Sequence, residues 1–329
     1  MVSIGCLSFA HVHGPSYASC VNALPEAALA GIADEDLSRA REMADRFSTK
    51  CFDSFEALVD SDIDAVIIAS DNKMHLPLTK LAASRGKHVL CEKPLARTLA
   101  EAREMIDVCR DAGVLLATAF PCRFIPAVNR LRALQADGLL GRISAIRGTN
   151  QGSMPGSWFT DLDRAGGGAV IDHTVHVADL MRWILGCEAT EIYAETDTLF
   201  HDIPADDTGM ISMRFENGCI ATLDTSWSRP PKSFPTWGNV TMKLVTDKGT
   251  VEIDSFNQKA DFFSEASAKG HHLYFGDGMD LGLVSNFVEA VAGRAEISAT
   301  GHDGLKALEI ALAAYESSRR KAPVALPLD

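Results

Sequence analysis

No stretch of this 329-residue chain approaches the roughly 18 consecutive apolar residues that a membrane-spanning helix requires. Positive charge is scarce as well. Lys and Arg number 31 against 44 Asp and Glu, a net charge of −13, and the only compact basic run is Arg319-Arg320-Lys321. The first 120 residues and the remainder are both acidic, so no nucleic-acid or membrane partner is expected. The eight cysteines, at 6, 20, 51, 91, 109, 122, 187 and 219, include no C-x-x-C pair. In a chain of this length that points to reduced, buried thiols and a cytoplasmic protein. The opening MVSIGCLSFAHVHG has neither a basic region nor a small-residue cleavage site, and no secretory leader is expected. Internal repeats and low-complexity segments are missing too.

What is present is an ordinary globular composition, 47% hydrophobic and 23% charged, over a length that suits two domains. Up to residue 120, short β-branched runs alternate with amphipathic stretches. Strands are expected over 2–7, 28–33, 65–70, 88–91 and 114–119, with helices over 36–47, 76–85 and 99–112. Alternation at this spacing implies βαβ units and a doubly wound parallel sheet, the α/β pattern of a Rossmann domain over 1–120. Beyond 120 the pattern changes. Helices are expected over 127–137, 170–185, 281–292 and 303–321, and strands over 143–148, 191–198, 209–215, 219–226, 240–246 and 250–255. Asn217-Gly218 between two of these strands is a hairpin signal. Residues 121–329 therefore read as an α+β domain on a mainly antiparallel sheet.

In a Rossmann domain the first βα turn carries a G-x-G-x-x-G that cradles a dinucleotide pyrophosphate. Here it is absent. Residues 5–10 read GCLSFA, which places Gly5, Leu7 and Ala10 in one register and Ser8, Phe9 and Ala10 in another. Asp34 follows 29 residues after Gly5, at the end of the second expected strand. A carboxylate there accepts from both ribose hydroxyls and repels a 2′-phosphate, so NAD is expected in preference to NADP. Asp172 and His176 lie four apart on one expected helix and share a face, with Asp179 at the next turn. His11 and His13 form H-x-H, and His173 forms H-x-x-H with His176. Such pairs can share zinc. No cysteine stands at ligand spacing and no H-E-x-x-H occurs, so no metal is expected. His271-His272 reads as a solvated loop.

Longer motifs carry a resemblance. Residues 86–96 read GKHVLCEKPLA, with Glu92-Lys93-Pro94 closing a short strand, and residues 69–77 read ASDNKMHLP. Arg123-Phe124 and the turn at 138–141 follow. Then come Gly166-Gly167-Gly168, Asp172, His176 and Asp179, then FENG at 215–218 and GHDGLKA at 301–307. In this order, over essentially the whole chain, they resemble the glucose–fructose oxidoreductase, inositol dehydrogenase and rhizopine-catabolism (Gfo/Idh/MocA) family. The glycine-poor first turn, and Asp71 where the family has Pro, are departures.

The resemblance implies an NAD(P)-dependent oxidoreductase acting on a secondary alcohol or ketone of a sugar, cyclitol or sugar derivative. Lys93 would reach the nicotinamide ribose and orient the reacting oxygen. His176 would accept the hydroxyl proton, and Asp172 would hydrogen-bond a substrate hydroxyl or orient His176. Lys93 and His176 are expected to project into a cleft, so that neither matters to melting temperature. Cofactor contacts are expected from Ser8, Phe9, Ala10, His13, Asp34, Ser70, Asn72, His75, Glu92 and Lys93. Arg123, Trp158 and His173 are expected at the substrate, with the loop 227–231 nearby, and a homodimer or homotetramer through the open sheet face. Two other readings share the fold: a glycoside-cleaving enzyme that retains NAD without net redox, and a non-catalytic dinucleotide sensor.

Overall fold

A computed structural model describes residues 1–329 apart from 235–237, 258, 265–267, 275–277 and 329, with the backbone alone at 259–264 and 269–274. The first sheet has β1 (Val2–Leu7), β2 (Ala27–Ala33), β3 (Ala65–Ile68), β4 (His88–Cys91) and β5 (Leu116–Thr118), all parallel, in the order β2-β1-β3-β4-β5. These strands are buried on both sides, as continuous apolar runs require. Around them lie α1 (Gly14–Ala23), α2 (Leu37–Phe47), α3 (Phe55–Val59), α4 (His75–Ser84) and α5 (Leu99–Asp111). Helix α1, not marked out by periodicity, begins at Gly14-Pro15 and buries Tyr17, Ala18 and Val21.

After α6 (Pro126–Ala136) the second sheet assembles from β6 (Ile143–Gly152), β7 (Ala189–Asp197), β8 (Thr208–Phe215), β9 (Ile220–Ser226), β10 (Gly238–Thr246) and β11 (Gly249–Asp254), closed at one edge by a short terminal strand. Its order is β11-β10-β6-β9-β8-β7 and then that strand, antiparallel except where β6 meets β9. A hairpin of β12 (Lys259–Ser264) and β13 (Lys269–Tyr274) stands apart, and β14 (Val324–Ala325) is the edge strand. His271 and His272 thus lie in a strand, paired with Phe262 and Asp261, and not in a loop.

Two helices join the halves. The short α7 (Leu162–Ala165) leads into α8 (Ala169–Leu185). Helix α8 lays Val170, Val177, Leu180 and Met181 on the second sheet, while Ile171 and Val175 join the core under the first. Hence α8 is buried nearly all round, and its polar side chains must find partners inside. Helix α9 (Met279–Val291) returns to the first sheet, where Val284 and Phe287 pack with Tyr17 and Val21. Helix α10 (Gly301–Arg320) spans both cores, with Leu308 in one and Ile310 in the other.

Candidate active site

Strand β1 ends at Leu7 and the chain turns at Ser8, whose φ of 69° lies in the left-handed region that favours glycine. That conformation selects the register left open by the sequence. Ser8, Ala10 and His13 take the first, third and sixth places of the glycine pattern. The first two are small; the third is an imidazole. Ser8 Oγ accepts from the Ala10 N–H at 3.1 Å, and the Phe9 N–H donates to Asp34 Oδ2 at 2.7 Å. Trp158 donates its indole N–H to the Ala10 carbonyl at 3.0 Å and stacks on Phe159. It therefore anchors the first turn from beyond the first sheet's segment of the chain.

Asp34 ends β2 and is buried, with Arg39 gripping both its oxygens at 2.8 and 2.6 Å. The strand order reverses between β1 and β3, the place where dinucleotides bind in open α/β sheets. Asn72, just past β3, donates Nδ2–H to the Ala165 carbonyl at 2.7 Å and leaves a buried Oδ1 with no protein partner. A small-residue turn, an acid at the end of β2 and an open acceptor past β3 fit a dinucleotide. Ser70 is buried and donates to the Asp71 carbonyl. His75 lies deeper still, its Nδ1–H shared between the carbonyls of Pro94 and Leu95 at 3.0 and 3.2 Å. It supports the turn that presents Lys93, and burial lowers its pKa below the ordinary histidine value.

Lys93 follows β4, and its peptide bond to Pro94 is cis. Its ammonium donates to Asp172 Oδ1 at 2.6 Å, in an almost fully buried pair. The other Asp172 oxygen takes the Trp227 indole N–H at 3.3 Å and faces His173 Nε2 at 3.2 Å. The hydrogen bonds of Asp172 thus go to Lys93, Trp227 and His173, and none goes to His176. Burial would raise the Asp172 carboxyl, but Lys93 and His173 outweigh it and hold it well below the usual range. His173 is held by Asn150, whose Nδ2–H donates to the His173 carbonyl at 2.9 Å while its own carbonyl accepts from His173 Nδ1 at 3.1 Å.

His176, one turn along α8, stands with Nδ1 4.0 Å from Cys122 Sγ and its ring edge-on to Phe120. Burial and the Lys93 charge push its pKa well below the ordinary value, since both disfavour the charged ring. Lys93, Asp172, His173 and His176 line one cleft of about 400 Å³, together with His11, His13, Cys122, Phe159 and Asp280. Glu92 lies behind its wall, with Oε1 2.9 Å from His13 Nδ1 and 3.5 Å from His11 Nδ1, and Oε2 accepting the Lys93 N–H. Burial would raise this carboxyl; the two imidazoles and Lys93 hold it well below the usual range.

Arg123 is placed elsewhere. It is buried against Asp179, at 2.7 and 2.5 Å, and reaches Asp303 at 3.0 Å and the Ser298 carbonyl. It does not line the cleft: its charge neutralises the carboxylate that α8 buries at Asp179. Sequence reasoning passed over Asn150, Asp280 and Arg39. Asn150 sits in an alternating strand with no motif around it, and Asp280 reaches the cleft only because α9 folds back onto α1. Arg39, five residues after Asp34, was legible as a helical neighbour of that acid.

Residues 2–120 match the model of the oxidoreductase family with an NAD-binding Rossmann fold, and residues 128–252 match the GFO/IDH/MocA C-terminal domain. The chain is 33% identical to 1,5-anhydro-D-fructose reductase of Ensifer adhaerens over 82% of each chain. It is 27% identical to myo-inositol 2-dehydrogenase of Thermotoga maritima over 98% of each. The crystal structure of GenD2 from gentamicin A biosynthesis, in complex with NAD, has the same fold. It aligns with a TM-score of 0.91 at 24% identity, over 99% of this chain and 97% of GenD2.

Proposed function

The chain belongs to the GFO/IDH/MocA family of NAD-binding oxidoreductases, and on that premise we propose that it interconverts a secondary alcohol and a ketone on a sugar, cyclitol or sugar derivative. The observation that carries this reading is the Lys93–Asp172 pair, 2.6 Å apart in the cleft, with His176 one turn further on and lining the same cleft. NAD held at the Ser8–Ala10 turn and Asp34 would supply the hydride chemistry. In the oxidation direction His176 takes the hydroxyl proton. Lys93 donates to the same oxygen and stabilises the negative charge that grows on it. Asp172 holds the Lys93 ammonium in place, while Trp227 and His173 hold Asp172.

The cofactor is assigned to residues 1–120, with Asp34, Asn72 and the turn at Ser8, Phe9 and Ala10 as its contacts. Substrate binding and assembly are assigned to 121–329. Tyr193, Met210, Ile220 and Val245 leave an exposed apolar patch on the outer face of the second sheet. A homodimer or homotetramer would cover it, and a monomer in sedimentation would remove this part of the reading. Among the described residues no helix is long and apolar enough to cross a membrane, and all eight cysteines are free thiols, which supports a cytoplasmic setting. No observation favours a redox-neutral glycoside cleavage, and an intact Lys93, Asp172 and His176 set speaks against a sensor.

The experiment is a panel of sugars and cyclitols offered with NAD and with NADP, followed by absorbance of the reduced nicotinamide. Sustained reduction with at least one polyol is expected. A panel with no turnover, despite measurable dinucleotide binding, would overturn the substrate class.

A further inference from the structure

His11 is a buried imidazole that the reaction above does not use. Its Nδ1 takes a long contact, 3.2 Å, from the His13 N–H, and its Nε2 has no partner. The ring of His13 lies edge-on to that of His11 with centroids 4.5 Å apart. Both Nδ1 atoms turn toward Glu92 Oε1, at 3.5 and 2.9 Å, and three ligand atoms of these side chains lie within 4.8 Å of one another. Around a tetrahedral zinc with bonds of ~2.0–2.1 Å, neighbouring ligand atoms stand ~3.3–3.4 Å apart. The two separations from Glu92 Oε1, 2.9 and 3.5 Å, straddle that spacing.

We infer that His11, His13 and Glu92 form a binding site for a divalent transition-metal ion, zinc foremost, in the wall of the cleft. Two imidazoles and a carboxylate are a donor set that suits zinc and cobalt and is poor for magnesium or calcium. Glu92 is oriented from behind, because its other oxygen accepts the Lys93 N–H. Both histidines line the cleft, so three protein ligands leave a further position for water or a ligand oxygen. The sequence reading expected no metal because it looked for ligands at close spacing. The third ligand comes from the end of β4, 79 residues after His13.

The test is equilibrium dialysis of the purified protein against Zn²⁺ and, separately, Co²⁺, with metal counted per chain and the visible absorption of bound Co²⁺ recorded. Wild type, His13→Ala and Glu92→Gln are compared. His13 is the partly exposed member of the set, and its variant is confirmed as folded by circular dichroism. About one ion per chain is expected in the wild type, with visible bands of a low-coordinate Co²⁺. Affinity should fall at least tenfold in both variants, and Zn²⁺ should raise the melting temperature of the wild type alone. A wild type that emerges without stoichiometric metal, or metal retained undiminished in folded His13→Ala, overturns the site.

Discussion

At the scale of single residues, the ion pair between Lys93 and Asp172 separates two roles that the sequence treated alike. His176→Ala should lower turnover by roughly 10²–10⁴, the usual contribution of a positioned proton acceptor. Its effect on melting should be small, since the imidazole lies on a cleft wall and has no carboxylate partner to strand. Lys93→Ala should lower turnover at least as much, and should also destabilise the fold by about 3–5 kcal/mol, because it strands a buried carboxylate. The sequence-based expectation of unchanged melting is kept for the first and replaced for the second, because only Lys93 has a buried carboxylate partner. Assays of kcat/KM with thermal melts decide it; equal melting for both variants would contradict the buried pair. Asp34 offers a second case. Removing its charge frees Arg39, a cation that on the proposed cofactor assignment would face a 2′-phosphate. Asp34→Ser should move the ratio of NAD to NADP affinity toward NADP by tenfold or more, measured by titration at one ionic strength. An unchanged ratio would show that Asp34 serves only the fold, through the Phe9 N–H and Arg39.

Among the elements, α8 carries the site, and the triple glycine explains its position. The Asp206 carboxylate accepts from the Gly168 and Val170 N–H groups at 2.8 Å each, while its carbonyl accepts the Ala169 N–H. One residue from the loop before β8 thus caps α8. A Cβ on Gly168 would run into the Asp206 carbonyl, and one on Gly167 into the Tyr315 hydroxyl. Gly168→Ala should therefore destabilise the protein by about 1–3 kcal/mol, the range for overpacking. It should also lower turnover, because the helix that holds Asp172 and His176 is displaced. Chemical denaturation and kcat measure both; a variant with wild-type stability would mean that the close approach is dispensable.

For the whole molecule the consequence is pH dependence of stability. His75 and His176 are buried with pKa values below the ordinary one near 6.5. Below about pH 6.5 the unfolded chain takes up protons that these rings refuse, so each group removes up to about 1.4 kcal/mol per pH unit until its folded pKa is reached. Glu92 and Asp172, held well below the carboxylate range, act in the same direction: their contribution is complete above about pH 4–5 and is lost below it. The melting temperature should change little from pH 7.5 to about 6.5, fall from there to pH 5, and fall more steeply below about pH 4–5. A flat profile across pH 5–7.5 would mean that these imidazoles are accessible to protons in the folded state.

Much of this protein was determined by local sequence. Strand β1 and strand β4 stand where the apolar runs placed them, because a strand buried on both faces must be a continuous run. Lys93, Asp172 and His176 were legible as a set because helical spacing puts two of them on one face and a distinctive motif surrounds the third. Other features depend on which distant segments touch, and that is settled only when both sheets share α8 and α10. Packing α8 between two cores desolvates its polar side chains. Each then takes the partner that tertiary neighbours provide: Arg123 for Asp179, Lys93 and Trp227 for Asp172, Asn150 for His173. The same long-range packing turned Arg123 from an expected substrate contact into a buried counter-ion, made Trp158 an anchor of the first turn, and brought Glu92 between His11 and His13. None of these pairings has a sequence period, since the segments involved are joined by burial and not by spacing along the chain.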